Sequence, residues 1–284
     1  LAQFAKAASP SATLLIEPEV ALVLPQSLQL SVENNVALEA QKTAVRALYG
    51  YARGEAYAVG EYQLDLLGHP RLILLPSPMG LESHAWDILL DHVKAGATLF
   101  ITGSFDGDAH LHPSGRAKAI GIDASDLALT LREHVAKFPW GEERLTFGGD
   151  KTTTLTRADL PDHSDWIEKQ IGKGRIFYAP LPLELNDNLR AVGDAYRYAL
   201  KTAGVKPIYT TPLDDPGILI APTIFPGATL YVVTSESNRS SVSFTDSRSG
   251  HAFNGTLQPG SAAILLIASD GKLTASWNWN PAQP

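Results

Sequence analysis

Four short segments constrain the fold most. EVALVL (19–24), RLILL (71–75), ATLFITG (97–103) and GRIFYAP (174–180) are apolar almost without interruption. A strand with one wet face alternates apolar and polar residues, whereas a strand covered on both faces does not. These runs therefore predict the central strands of a largely parallel sheet. Parallel neighbours need crossover connections, and helical patterns lie between the runs. Val36, Ala40, Ala44, Ala47, Leu48 and Tyr51 keep a three-four spacing, as do Leu81, Ala85, Ile88, Leu89 and Val93, which Gly96 closes. Leu189, Val192, Tyr196, Ala199, Leu200 and Ala203 predict a further helix, with Asn186 or Asp187 as N-cap candidates and Gly204 as its stop. Right-handed crossovers of this kind build an open, doubly wound, mainly parallel α/β sheet.

From Pro207 the character of the chain changes. VKPIYTTPLDDPG carries three prolines and no periodicity, and reads as a linker or an edge segment between domains. GILIAPTIF, ATLYVVTS, SSVSFTDS, HAFNGTLQ, SAAILLIAS and KLTASWN then follow, each ended by a turn residue. Short runs rich in β-branched and aromatic residues, at roughly ten-residue spacing, predict a small antiparallel β-sandwich. The expected organisation is an N-terminal tail (1–13), an α/β domain (14–206) and a β-sandwich domain (207–284). Within the first domain, residues 116–170 read as an irregular insertion, with strands at LTLREHV and ERLTF, turns at Pro139 and Gly148-Gly149, and Trp166 as an apolar anchor.

Composition excludes several function classes. The net charge of −7, with no cluster of Lys and Arg, argues against nucleic-acid binding. No apolar run approaches the about 20 residues that cross a bilayer as a helix. The absence of cysteine removes disulfides, thiolate nucleophiles and cysteine-zinc sites together. The expectation is a soluble protein, cytoplasmic or periplasmic, without cofactor. The chain opens on Leu1 with no signal-peptide pattern, which reads as a processing boundary with sequence expected upstream.

Each candidate site has a structural alternative. Ser104 follows a buried strand, as a hydrolase nucleophile would, but a nucleophile elbow reads G-x-S-x-G and leads into a helix. Here Gly103 directly precedes Ser104, and Pro113 and Gly115 oppose an immediate helix. A strand-end serine bonded to local backbone is the better reading. Asp106, Asp108, His110 and His112 form the most metal-like cluster, yet the two histidines would point to opposite sides of an extended segment. A solvated loop is expected, with no metal. His84 and His92 lie on one helix without the H-E-x-x-H spacing. Glu184 and Asp187 follow a strand at its carboxyl end, where open sheets bind ligands, but Asp187 serves equally as a helix cap. The glycines of IGKGRIF (171–177) precede a strand instead of following one, so they predict a tight turn and no phosphate loop. Asn238-Arg239-Ser240 and Asn254-Gly255-Thr256 match a glycosylation acceptor. Tyr231, Phe244, Phe253, Trp277 and Trp279 are sugar-platform candidates, with sandwich core as the favoured reading.

RLILLPSPMGLESHAWDILLDHVKAGATLFITGS and GKGRIFYAPLPLELNDNL carry a resemblance. They resemble the trimerisation domain of family 42 β-galactosidases, a flavodoxin-like fold similar to class I glutamine amidotransferases. In that family the domain follows a catalytic (β/α)8 barrel and precedes a small β-sandwich. The amidotransferase relatives carry a cysteine after the strand that here ends in Gly103-Ser104, so the resemblance implies a scaffold without that chemistry. A barrel takes about 200 residues or more, and no stretch of this chain supplies one. The resemblance thus implies the C-terminal, non-catalytic region of a bacterial glycoside hydrolase, partnered by the missing barrel and by further copies of itself. Neither catalytic nor metal residues are expected within it, and no activity is expected from the chain alone. The alternatives are a carbohydrate-binding module and a free-standing amidotransferase-like hydrolase using Ser104.

Overall fold

The computed structural model describes residues 18–32, 34–122, 125–129, 133–147, 153–157, 165–238 and 241–282, together with Phe4 and Lys6. Most of the N-terminal tail, the turn at Gly148-Gly149, and Arg239 and Ser240 of the first acceptor motif lie outside the described residues. By contact density the chain divides into two units: Glu19–Ala47 with Ala56–Val205, and Leu1–Pro18 with Leu48–Glu55 and Lys206–Pro284.

The first unit is a mixed α/β layer structure. In chain order it contains β1 (Val20–Leu24), α1 (Asn34–Ala47), β2 (Tyr57–Gly60), β3 (Leu72–Pro76), α2 (Ser83–Ala95), β4 (Thr98–Thr102), the single turn α3 (Arg116–Ala119), β5 (Ser125–Leu129), β6 (Glu133–Phe138), β7 (Gly141–Thr146), β8 (Thr153–Arg157), β9 (Ile167–Ile171), β10 (Gly174–Ala179) and α4 (Leu189–Thr202). The main sheet runs β2-β1-β3-β4-β10-β9, parallel except for the final pairing of β10 with β9. All four apolar runs are parallel strands of this sheet.

Their lack of alternation has the cause the sequence suggests. Ala21, Val23, Ile73, Leu75, Leu99, Ile101, Ile176 and Tyr178 share one core with Ala85, Leu89 and Val93 of α2. The intervening residues, Leu22, Leu72, Leu74, Phe100 and Phe177, are also buried, on the face where α1 packs on β3 and Tyr196 of α4 meets Phe100 edge-on at 5.8 Å. Fully burying side chains of this size stabilises by about 1.5–3 kcal/mol each. Gly96 ends α2 at φ 135°, a conformation open to glycine. The glycines at 172 and 174 make the tight β9–β10 turn, with Gly172 at φ 58°. A Cβ on Gly174 would stand 2.1 Å from the Ala97 carbonyl oxygen, so only glycine allows this approach.

The insertion is a pair of small ladders, β6 with β7 and β5 with β8. Of the expected strand at 129–135, Leu129 belongs to β5 and residues 133–135 belong to β6, while residues 130–132 lie outside the described residues. Trp166 is buried among Phe100, Phe138, Trp140, Phe177 and Tyr198, with ring centroids 5.1–6.2 Å away.

The second unit is built on β11 (Tyr209–Thr210), β12 (Ile218–Phe225), β13 (Ala228–Ser235), β14 (Ser241–Asp246), β15 (Ala252–Thr256), β16 (Ala262–Ala268), β17 (Leu273–Trp277) and β18 (Asn280–Pro281). They form two four-stranded antiparallel sheets, β11-β14-β15-β18 and β12-β13-β16-β17. Tyr209, Val242 and Phe244 of one sheet, with Trp279 just before β18, share a core with Ile218, Ile220, Tyr231, Val233 and Leu265 of the other. Residues 48–55 group with this unit, although Leu48 and Tyr51 continue the apolar spacing of α1. There the backbone widens into a π turn over Leu48–Ala52.

Candidate functional site

In an open parallel sheet the carboxyl ends of the strands are where ligands bind, so this edge is the place to look for chemistry. Here it is closed by side chains. Glu184, in a short turn after β10, is buried and accepts hydrogen bonds from Thr102 at 2.5 Å, Tyr196 at 2.7 Å and Ser77 at 3.4 Å. Thr102 Oγ1 in turn accepts the Ser77 amide at 3.1 Å. Burial pushes the Glu184 carboxyl above its ordinary range, against the pull of its hydroxyl donors. Burial, and then the carboxylate beside it, push the Tyr196 phenol well up. Ser77 takes the unusual φ of 41° at the end of β3, and Gly103 takes φ 63° at the end of β4. A Cβ on Gly103 would come within 3.0 Å of Ser77 Oγ, so a larger residue there would push Ser77 aside as well as strain the backbone. This cluster ties together the ends of β3, β4 and β10 and the middle of α4. With water excluded, it works as a clamp.

Glu61 stitches the neighbouring loops. It follows β2, and its carboxylate accepts the amides of Gln26 at 2.6 Å, Ser27 at 2.8 Å and Glu82 at 2.5 Å. Backbone amides are strong partners for a carboxylate, and three of them fix both neighbouring loops to one side chain.

Ser104 is buried, and its carbonyl accepts the Met79 amide at 3.0 Å. The next helix, α3, begins only at Arg116. A buried serine without an adjoining helix lacks the exposed turn that a nucleophile elbow provides. The loop beyond it is organised by its aspartates. Asp106 Oδ1 accepts the Ala117 amide at 2.9 Å, and Asp108 Oδ1 accepts the amides of His110 at 2.7 Å and His112 at 2.9 Å. Those two amide bonds hold the Asp108 carboxyl below its usual value. The segment is a turn and not extended, so the rings of His110 and His112 lie 6.2 Å apart, near each other and not on opposite sides. Among the described residues no three His, Cys, Asp or Glu side chains converge on a common point suited to a metal ion.

The remaining candidates fall separately. His84 faces Asp65 at 3.9 Å, and His92 lies beside His69, with rings 6.5 Å apart. Asp187 gives its amide to Thr146, whereas the side chain of Asn186 accepts the amide of Asn188, the residue that precedes α4. Sequence reasoning missed Arg116, which is buried over the Trp86 ring and donates to Ser114 and the Leu81 carbonyl. It also missed the roles of Glu61 and Ser77, whose partners lie on distant segments. In the sandwich, Tyr231, Phe244 and Trp279 are buried in the core and Phe253 stacks on Phe244, while Trp277 is 38 % exposed.

Comparison with known proteins places this architecture. No family model and no curated protein matches the chain. Solved structures do. The β-galactosidase from Rahnella sp. R3 superposes on 89% of this chain with a TM-score of 0.66 at 15% identity. The β-galactosidase from Bacillus circulans sp. alkalophilus superposes on 88% with a TM-score of 0.65, also at 15% identity. A GH42 β-galactosidase from G. stearothermophilus superposes on 89% with a TM-score of 0.63 at 13% identity. The chain shares its fold with a region of these enzymes. It spans only about two fifths of their length, 41%, 41% and 40% respectively. Among the described residues, no helix is long and apolar enough to cross a membrane.

Proposed function

We propose that this chain is the non-catalytic C-terminal region of a β-galactosidase-like glycoside hydrolase. In this reading the first unit is a flavodoxin-like, amidotransferase-like trimerisation domain that assembles the enzyme and helps to wall a catalytic (β/α)8 barrel lying outside these residues. The observation that carries it is the superposition of nearly nine tenths of the chain on two fifths of GH42 β-galactosidase chains. The closed carboxyl edge supports it, because the place where an open sheet ordinarily holds a ligand is filled here by Glu184 and its hydroxyl partners. A rigid α/β layer without chemistry of its own suits symmetric assembly.

Light scattering on the longer protein, with and without residues 14–205, tests the proposal. The intact protein is expected as a closed oligomer and the deletion variant as a monomer with reduced glycosidase turnover. An unchanged mass and unchanged turnover after deletion contradict the assembly role.

A further inference from the structure

The segment Leu48–Glu55 is held on the sandwich by an unusual set of contacts. Leu48, Gly50 and Ala52 are buried. A Cβ on Gly50 would sit 3.1 Å from the Pro216 carbonyl oxygen and 3.4 Å from Leu219, so the backbone lies directly on the β12 end of the sandwich. Arg53 adopts φ 58°, a conformation that costs a non-glycine residue energy and persists only when its surroundings enforce it. They do so through its guanidinium, which donates to the carbonyl oxygens of Ile218 at 2.9 Å, Leu213 at 3.0 Å and Asp215 at 3.2 Å. Two residues on, Glu55 is 6 % exposed, and its Oε1 has no hydrogen-bond partner.

We propose that residues 48–55 form a strap whose seating on the sandwich requires Glu55 to carry a proton. The proposal goes beyond the assembly reading and does not depend on it. The groups around Glu55 explain why. On the strap itself are Tyr49 and Arg53, the latter committed to three carbonyls. β11 contributes Tyr209 and β13 contributes Tyr231. Tyr231 already donates to the buried carboxylate of Asp246 on β14, at 2.6 Å. The Asp215 carboxylate accepts the Gly217 amide and the Ser237 hydroxyl. Thus a charge on Glu55 would sit in a buried site in which its Oε1 has no donor. The neutral acid avoids that cost. Burial accordingly raises the Glu55 carboxyl to about 8.

The direction of the linkage follows. Released, Glu55 titrates near the ordinary 4.5; seated, near 8. The raised value means that seating is fully favoured below the ordinary carboxylate value and weakens as pH rises towards about 8, where the loss levels off. Over that window the closing constant falls roughly tenfold per pH unit.

Hydrogen exchange of the strap amides, corrected for intrinsic rate and followed from pH 5.5 to 8.5, tests this on the full chain. Protection of residues 48–55 is expected to fall roughly tenfold per unit up to about pH 8, while that of the β13 core stays level; in Glu55→Gln the strap should change less than about twofold. A flat profile for the parent strap, the same fall in E55Q, or a parallel loss in β13 overturns the proposal. Should E55Q not fold, the parent strap and β13 profiles decide the matter by themselves.

Discussion

Tyr196, in the middle of α4, donates its hydroxyl to Glu184 at 2.7 Å, and that contact joins the helix to the closed edge of the sheet. Replacing Glu184 by alanine leaves Tyr196, Thr102 and Ser77 as buried hydroxyls without their shared acceptor, and an orphaned buried group costs about 1–3 kcal/mol. Urea denaturation should show E184A less stable by about 3 kcal/mol, and E184Q by about 1, because the amide oxygen keeps part of the acceptor set.

The same carboxyl gives a pH dependence of known sign. Burial raises its folded value above the unfolded one, so its stabilising contribution is complete below the unfolded carboxylate range and is lost as pH rises towards the folded value. The stability advantage of the parent over E184Q should therefore narrow from pH 5 upward. A gap that widens with pH would mean that the hydroxyl donors outweigh burial.

Gly174 tests the packing of the sheet's far side. An alanine Cβ there would stand 2.1 Å from the Ala97 carbonyl oxygen and 2.3 Å from that of Val93, both backbone atoms at the α2–β4 junction. G174A should cost about 2–3 kcal/mol, read as a lower urea midpoint with an unchanged slope, because backbone must shift to admit the methyl group.

Asp106 organises the loop that looks most like a site. It accepts the Ala117 amide at 2.9 Å and the Gly115 amide at 3.3 Å. D106A should destabilise the unit by about 1 kcal/mol, as loss of a helix cap does, and should speed proteolysis within 104–115.

The parts of the fold legible in the sequence are those with a single physical cause. β1, β3, β4 and β10 read as apolar runs because both faces of each are covered. β2 escaped notice because it is a four-residue edge strand with Ala58 exposed, and β9 because IEKQI alternates as a half-wet edge does. Leu48 and Tyr51 fit the spacing of α1 but group with the sandwich unit, since periodicity reports a helical face and not the unit to which it belongs. The clamp was half visible: Glu184 stood out at a strand's carboxyl end, but its partners Ser77, Thr102 and Tyr196 come from three distant segments that no local pattern connects.

The most direct measurement is an assay of the isolated 284-residue chain against aryl β-galactosides and glutamine. A non-catalytic region should show no turnover above a heat-inactivated control, and S104A should behave like the parent. Turnover that disappears when Ser104, Glu184 or another residue within the chain is replaced would contradict the account.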